Sequence, residues 1–381
     1  MKFATKVIKS GIEPDPTTGA IITPIYQTST YVQSSPGVHQ GYEYARTHNP
    51  TREALEKNLA AIENGAHAVC FASGLAATDA IMKLFGSGDE VVSTNDLYGG
   101  TYRAFNRVYA NFGMKFHYTG MQDVANIEAL INENTKLIWV ETPTNPMLNI
   151  IDIKAVSDLA KAKGVLLCVD NTFASPYLQN PLDLGADLVV HSATKYLGGH
   201  SDCILGAVVT KDQELGERLR FLQNATGAVP GPQDCFLITR GIRTLHLRVQ
   251  QSCENATQIA NFLKANDKVA NTYYPGFETH PNHEVAKRQM RHFGGMVSFN
   301  LKKDSLEDGR RLLENTHIFH LAESLGGVES LIGHPPSMTH GSIPREERYK
   351  VGMTDSLIRL SVGIEHADDL IEDLDKALSF V

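Results

Sequence analysis

The sequence predicts an α/β protein, with a large and mostly parallel sheet covered by helices on both faces and a smaller α+β unit after it. Three observations predict this. From about residue 50, short apolar runs alternate with stretches of helical periodicity, and strand–helix alternation of that kind builds parallel sheets. After about residue 235 the pattern changes to a long helical stretch followed by strands mixed with helices. The 381 residues also exceed one ordinary domain, at roughly 150 residues each.

In chain order, the first fifty or so residues are rich in Pro, Gly, Thr and Tyr and show no sustained period. Such a segment buries itself poorly and is expected to wrap another surface, that of a neighbouring subunit. The runs Ala68–Ala72, Val91–Thr94, Leu137–Glu141, Val165–Val169, Leu188–His191 and Leu205–Val209 read as buried strands, because a strand covered on both faces needs no polar alternation. Leu75, Thr78, Ile81, Met82 and Phe85 form a helical stripe closed by Gly86-Ser87-Gly88. Ile153, Val156 and Leu159 form another, stopped by Gly164. A long helical stretch then spans roughly Gln233 to Ala265, with a candidate break at Gly241. Strands are expected at Met296–Leu301, Val328–Ile332 and Leu357–Val362, and helices near Leu306–Leu313 and Asp368–Leu378. There is no Gly/Ser-rich linker and no internal repeat.

Composition narrows the function classes. With 42% hydrophobic and 20% charged residues, a large core forms and disorder is not expected. No apolar run approaches the roughly 18 residues of a membrane span, and the start MKFATKVIKSG has no apolar signal core, so the expectation is a cytoplasmic protein. A net charge of −8 and a pI near 6.0, without basic clusters, argue against nucleic acid as a ligand. The five cysteines are scattered, with no Cys-x-x-Cys pair, and Cys70 and Cys168 sit inside apolar runs as core residues. His280/His283 and His317/His320 are closely spaced, but no cysteine or carboxylate set completes a metal site, so no metal is expected.

Three segments carry candidate chemistry. Ser73-Gly74-Leu75 follows a strand and opens a helix, where free amides and the positive helix end hold phosphate; taken alone, it equally fits a simple N-cap and turn. Lys195 lies in His191-Ser192-Ala193-Thr194-Lys195-Tyr196-Leu197-Gly198-Gly199, just past a strand. Ligands of open α/β sheets bind at that edge, and burial would lower the amine's pKa and free it to form a Schiff base. A surface lysine is the plain alternative. Asp170 ends the strand Val165–Val169, where a buried carboxylate needs a cationic partner or several donors. A protonated pyridine nitrogen would serve, and so would a turn. The dinucleotide and P-loop glycine signatures are both absent.

A phosphate cup, an amine nucleophile and an acid for a ring nitrogen are together what pyridoxal 5′-phosphate (PLP) requires. The motifs GYEYARTHNPTR, VVSTNDLYGGTYR, VETPTNP, VDNTFASPY, HSATKYLGGHSD, AESLGGVESLIGHP and LIRLSVGIE confirm the direction. Over essentially its whole length the chain closely resembles the PLP-dependent enzymes of cysteine and methionine metabolism, the cystathionine γ-synthase and γ-lyase family. The resemblance implies the PLP-dependent transferase fold type I, aspartate aminotransferase-like. It also implies an N-terminal arm (1–48), a PLP-binding large domain (49–240) and a C-terminal small domain (241–381). Lys195 would carry the cofactor as a Schiff base and shuttle protons, Asp170 would face the pyridine nitrogen, and Tyr98 would stack on the ring and act as an acid or base. Gly74, Leu75, Ser192 and Thr194 would bind the phosphate, joined by Tyr44 and Arg46 from a neighbouring subunit. That sharing implies a homodimer at least, and the family assembles as a tetramer. Arg359 would clamp the substrate's α-carboxylate, as a planar guanidinium fork suits; read without the family, an arginine in an apolar strand also fits a structural ion pair. Asn145 would contact the ring or that carboxylate, and Ser324 would orient Lys195.

Within the family, Glu43 and Glu323 match positions where γ-lyases carry acids that meet a distal ammonium; γ-synthases can look similar at both, so the pair favours γ- over β-chemistry without separating lyase from synthase, and Glu43 also reads as a solvated loop residue. Methionine γ-lyases resemble the Tyr98 motif but place a cysteine where this chain has Gly100. The expected reaction is therefore γ-elimination of L-cystathionine, a step of transsulfuration, with γ-replacement of an O-acylhomoserine by cysteine as the alternative. A non-catalytic scaffold would show a gap among lysine, aspartate, tyrosine and arginine, and none appears.

Overall fold

The computed structural model describes residues 1–341 and 344–381. A seven-stranded sheet is built from β1 (His67–Phe71), β2 (Glu90–Thr94), β3 (Lys115–Thr119), β4 (Thr135–Glu141), β5 (Leu166–Asp170), β6 (Leu188–Ser192) and β7 (Gly206–Thr210), in the order β1-β7-β6-β5-β4-β2-β3. β7 runs antiparallel to both its neighbours, while the other pairings are parallel. The carboxyl ends of β1, β2, β4, β5 and β6 therefore share one edge. Chains of alternating side chains explain why these runs are apolar throughout. Ala68 and Cys70 of β1 with Ala207 and Val209 of β7 enter one core, with Leu55, Leu59 and Ile238. Val69, Phe71 and Val208 enter the opposite core, with Ile81, Trp139 and Cys168. Both faces are covered, as a parallel sheet demands.

The second sheet comprises β8 (Val269–Tyr273), β9 (Met296–Leu301), β10 (His320–Leu321), β11 (Leu331–Gly333) and β12 (Leu357–Ser361), in the order β10-β11-β12-β9-β8. Helices Leu245–Ala265 and Ala367–Leu378 pack on it through Ile259, Leu263, Leu370 and Leu374 against Val297, Phe299, Ile358 and Leu360.

Several elements depart from the sequence reading. β3 and β8 have no buried run to announce them, because each is an edge strand whose residues are largely half-buried or exposed. The strand expected at Val328–Ile332 shrinks to three residues, Leu331–Gly333. The aperiodic N-terminus includes a helix, α1 (Phe3–Lys9), whose Val7 is fully buried. Asn58, on α2 (Pro50–Ile62), donates to the carbonyl of Ser10 just past α1 (2.7 Å), so this part docks on its own chain. The long C-terminal helical stretch breaks after Ile242, not at Gly241. Gly241 is a packing glycine: a side chain there would collide with the Gly198 carbonyl. That close approach holds the loop that follows Lys195.

Candidate active site

Five segments at the shared carboxyl edge, after β1, β2, β4, β5 and β6, enclose with residues from the second sheet a cavity of about 380 Å³. After β1, Ser73 caps α3 (Gly74–Met82) by accepting from the Ala76 amide at 3.0 Å. The amides of Gly74 and Leu75 carry no hydrogen bond among the described residues and open into the cavity at the positive helix end. Gly74 lies so close to β6 that a side chain would meet Ser192 Cβ at 2.9 Å. The Ser192 hydroxyl beside it has no partner among the described residues, whereas Thr194 Oγ1 accepts from the Leu205 amide (3.0 Å) and donates to its carbonyl (3.3 Å). These donors form a cradle for a phosphate-sized anion.

Lys195 sits just beyond β6, in a loop tied by Gly199 N donating to Lys195 O (2.8 Å). Buried Arg248 braces it by donating to Tyr196 O (2.9 Å) and Gly241 O (2.7 Å). Lys195 Nζ donates to Ser324 Oγ at 2.7 Å. Ser324 adopts φ +102°, a conformation side-chain-bearing residues rarely hold without support. Burial, then the Arg359 charge, bring the lysine down to about 8, with Glu323 pulling the other way. At pH 7.5 such an amine is neutral about a quarter of the time, against about one part in a thousand for an ordinary lysine.

Arg359, on β12, is 5% exposed and forms no ion pair among the described residues. It donates to Asn145 Oδ1 (2.8 Å) and Ser324 O (3.1 Å), both neutral. The structural ion pair considered from sequence is absent, and a buried guanidinium facing a cavity without a counter-anion is a binding site for one. Asp170 ends β5, with Oδ1 accepting from the Thr172 amide (3.0 Å) and its other oxygen unpartnered among the described residues. It makes the turn bond and still offers an acceptor to the cavity. Burial raises its carboxyl, opposed by Thr172 and the His191 imidazole. Tyr98, 42% exposed, stands at the start of α4 (Gly99–Arg107) with its ring over Gly100, where any side chain would collide with it. Glu323 is exposed at the mouth.

The structure thus brings Gly74, Leu75, Tyr98, Asn145, Asp170, Ser192, Thr194, Lys195, Glu323, Ser324 and Arg359 around one space. Glu43, Tyr44 and Arg46 do not line it. All three are exposed; Arg46 Nε donates to Asn224 Oδ1 (3.1 Å) and its guanidinium lies over the Tyr44 ring. The sequence reading missed Glu141, which lines the cavity from the end of β4. Its signal was the one that marked Asp170, an acid closing an apolar strand. The phosphate cradle, an amine tuned toward neutrality and an acid with a free oxygen fit PLP on the chemistry of the donors alone.

A family profile described as Cys/Met metabolism PLP-dependent enzyme matches residues 4–379. The chain is 53% identical to a cystathionine gamma-lyase of Dictyostelium discoideum over 99% of this chain and 97% of that protein. It is 52% identical to a cystathionine beta-lyase of Coxiella burnetii, covering 98% and 97%. It is 51% identical to a cystathionine gamma-synthase of Mycobacterium bovis, covering 98% and 96%. The crystal structure of a cystathionine gamma-lyase from Lactobacillus plantarum, complexed with L-serine, superposes with a TM-score of 0.98 at 48% identity, covering 100% of this chain and 99% of that one.

Proposed function

The chain belongs to the Cys/Met metabolism PLP-dependent enzymes of fold type I, and on that premise we propose that it eliminates the γ-substituent of L-cystathionine, giving L-cysteine, 2-oxobutanoate and ammonia. The observation that carries this reading is the charge layout of one cavity. A buried Arg359, without an ion-pair partner among the described residues, lies inside beside Lys195, and exposed Glu323 lines the same cavity. Cystathionine is an amino acid at both ends, so its proximal carboxylate suits Arg359 and its distal ammonium suits Glu323.

PLP supplies an electron sink for the pair left when the α-proton is taken. The remaining roles belong to the chain. Gly74, Leu75, Ser192 and Thr194 would hold the cofactor's phosphate, Asp170 would serve its ring nitrogen, and Tyr98 would contact its ring. Asn145 and Ser324 fix the Arg359 fork, and Ser324 also holds Lys195 Nζ, the base that takes and returns protons at the substrate's carbons. Tyr44, Arg46 and Glu43 are proposed to serve the cavity of a neighbouring subunit in a homotetramer. Their exposure supports this, as do Ile21 and Val32, 78% and 93% exposed on the same arm; apolar surface of that kind suits coverage by a second copy. Gly100 supports cystathionine over methionine through the resemblance alone, because methionine γ-lyases place a cysteine at this position.

A relative of nearly equal identity is a γ-synthase, which keeps γ-replacement as the second reading. Products decide. Cystathionine alone should yield 2-oxobutanoate, not pyruvate, at a rate above that of cystathionine formation from O-succinyl- or O-acetylhomoserine plus cysteine. Predominant pyruvate, or far faster replacement, refutes the proposal.

A further inference from the structure

Three neighbouring strands deliver acids to the same edge: Asp96 just past β2, Glu141 closing β4 and Asp170 closing β5. Asp96 is buried and turned to the loop that follows β4, where its Oδ2 accepts from Thr144 Oγ1 (2.5 Å), Met147 N (3.3 Å) and Asn149 Nδ2 (3.3 Å). Glu141 and Asp170 are register partners on adjacent parallel strands, and both line the cavity. No lysine, arginine or histidine comes within ion-pair distance of Glu141 among the described residues. The nearby guanidinium of Arg359 is engaged by Asn145 and Ser324. The bond Glu141 does make reaches across 43 residues: its Oε2 accepts from the backbone N–H of Tyr98 at 2.9 Å. Tyr98 is the N-cap of α4 and makes no side-chain cap bond, and Glu141 accepts from the N-cap amide as the third-position acid of a capping box does, but from another strand.

We propose that Glu141 is a positioning residue that works as an uncharged acid, pinning Tyr98 over the cofactor through its backbone amide and leaving Asp170 as the anion that faces the ring nitrogen. Two carboxylates side by side in a closed site do not both ionise. Burial and the neighbouring Asp170 push the Glu141 carboxyl well above the usual range, Asp96 adds to this, and Arg359 and the Tyr98 amide oppose it. Asp170 has the Thr172 amide in its favour, and a protonated ring nitrogen would add to that. The positive end of α4 favours an ionised Glu141, but an end effect of that kind is smaller than the burial of an unpaired charge. The proposal rests on the family's cofactor and holds whichever carbon–sulfur bond is cleaved.

The test is the affinity of the full-length chain for PLP, read from cofactor absorbance, in Glu141→Gln and Glu141→Leu, each also in a Tyr98→Ala background. Glutamine keeps a neutral acceptor for the amide, so it should bind within about threefold of wild type, while leucine should bind about tenfold more weakly, as loss of one buried hydrogen bond implies. The leucine effect should fall below about threefold once Tyr98 is alanine, because its route runs through that residue. Glutamine as weak as leucine, or a leucine effect that persists without Tyr98, overturns the proposal. Should the leucine variant not fold, the infrared spectrum of the holoenzyme at neutral pH decides. A protonated-carboxyl band that Glu141→Gln removes supports the idea, and its absence from wild type refutes it. Product analysis of wild type tests the γ-elimination reading separately.

Discussion

Arg359→Met separates a ligand-binding arginine from a structural one. Burial holds Arg359 down to about 10 from 12.5, a penalty of about 3 kcal/mol on the charged form. Its two hydrogen bonds, to Asn145 Oδ1 and Ser324 O, return about 3 kcal/mol at the lower end for a charged donor. The two nearly cancel, and methionine fills the space without a charge. The melting temperature should therefore move by no more than about 3 °C. Breaking a true buried ion pair would cost about 3–5 kcal/mol and a correspondingly larger fall. Activity should respond differently. A bidentate guanidinium–carboxylate contact contributes about 3–6 kcal/mol, so kcat/KM for cystathionine should drop by about two to four orders of magnitude. The assay is 2-oxobutanoate release against substrate concentration, with cofactor absorbance and thermal melting on the same preparations. A melting drop beyond about 5 °C with kcat/KM within tenfold of wild type would refute the reasoning.

Three further outcomes are expected. In the cofactor-free chain, Lys195→Met should be more stable than wild type below pH 8. The folded lysine at about 8 lies under its unfolded value of 10.5, so its charging penalty is complete below pH 8 and fades toward pH 10.5; a melting difference that does not narrow over that window contradicts the shift. Gly100→Ala should keep or raise the melting temperature, since alanine favours helix. It must displace the Tyr98 ring, and cofactor affinity should fall about two- to tenfold, so unchanged affinity would mean that the ring's position does not matter. Glu323→Gln should lower kcat/KM for cystathionine about three- to tenfold, as expected for a charge pair at an exposed rim, and should spare a substrate lacking the distal ammonium; equal losses on both would remove Glu323 from specificity.

Much of the site was legible because its signals are local. Lys195, Asp170 and Ser73-Gly74-Leu75 each follow an apolar strand directly, and the sheet's parallel order places such ends together. Periodicity likewise announced the buried strands. It was silent on β3 and β8, whose partly exposed edge positions carry no run; it found the helix break to within two residues, at Arg243–Thr244, but not that Gly241 is there for close packing.

Short-range sequence signals were enough for the α/β class, the cofactor and a candidate nucleophile in Lys195, because strand burial and strand-end residues are encoded within a few positions. Only the tertiary structure decided which groups act as pairs. Asn145 meets Arg359 across 214 residues, Lys195 meets Ser324 across 129, and Glu141 lies opposite Asp170 because β4 and β5 are neighbours. It also decided that Arg359 has no ion-pair partner among the described residues, and that Glu43, Tyr44 and Arg46 do not line their own chain's cavity. The physical reason is that charge and hydrogen bonding act over a few ångströms of space, and strand order, not sequence spacing, sets those distances.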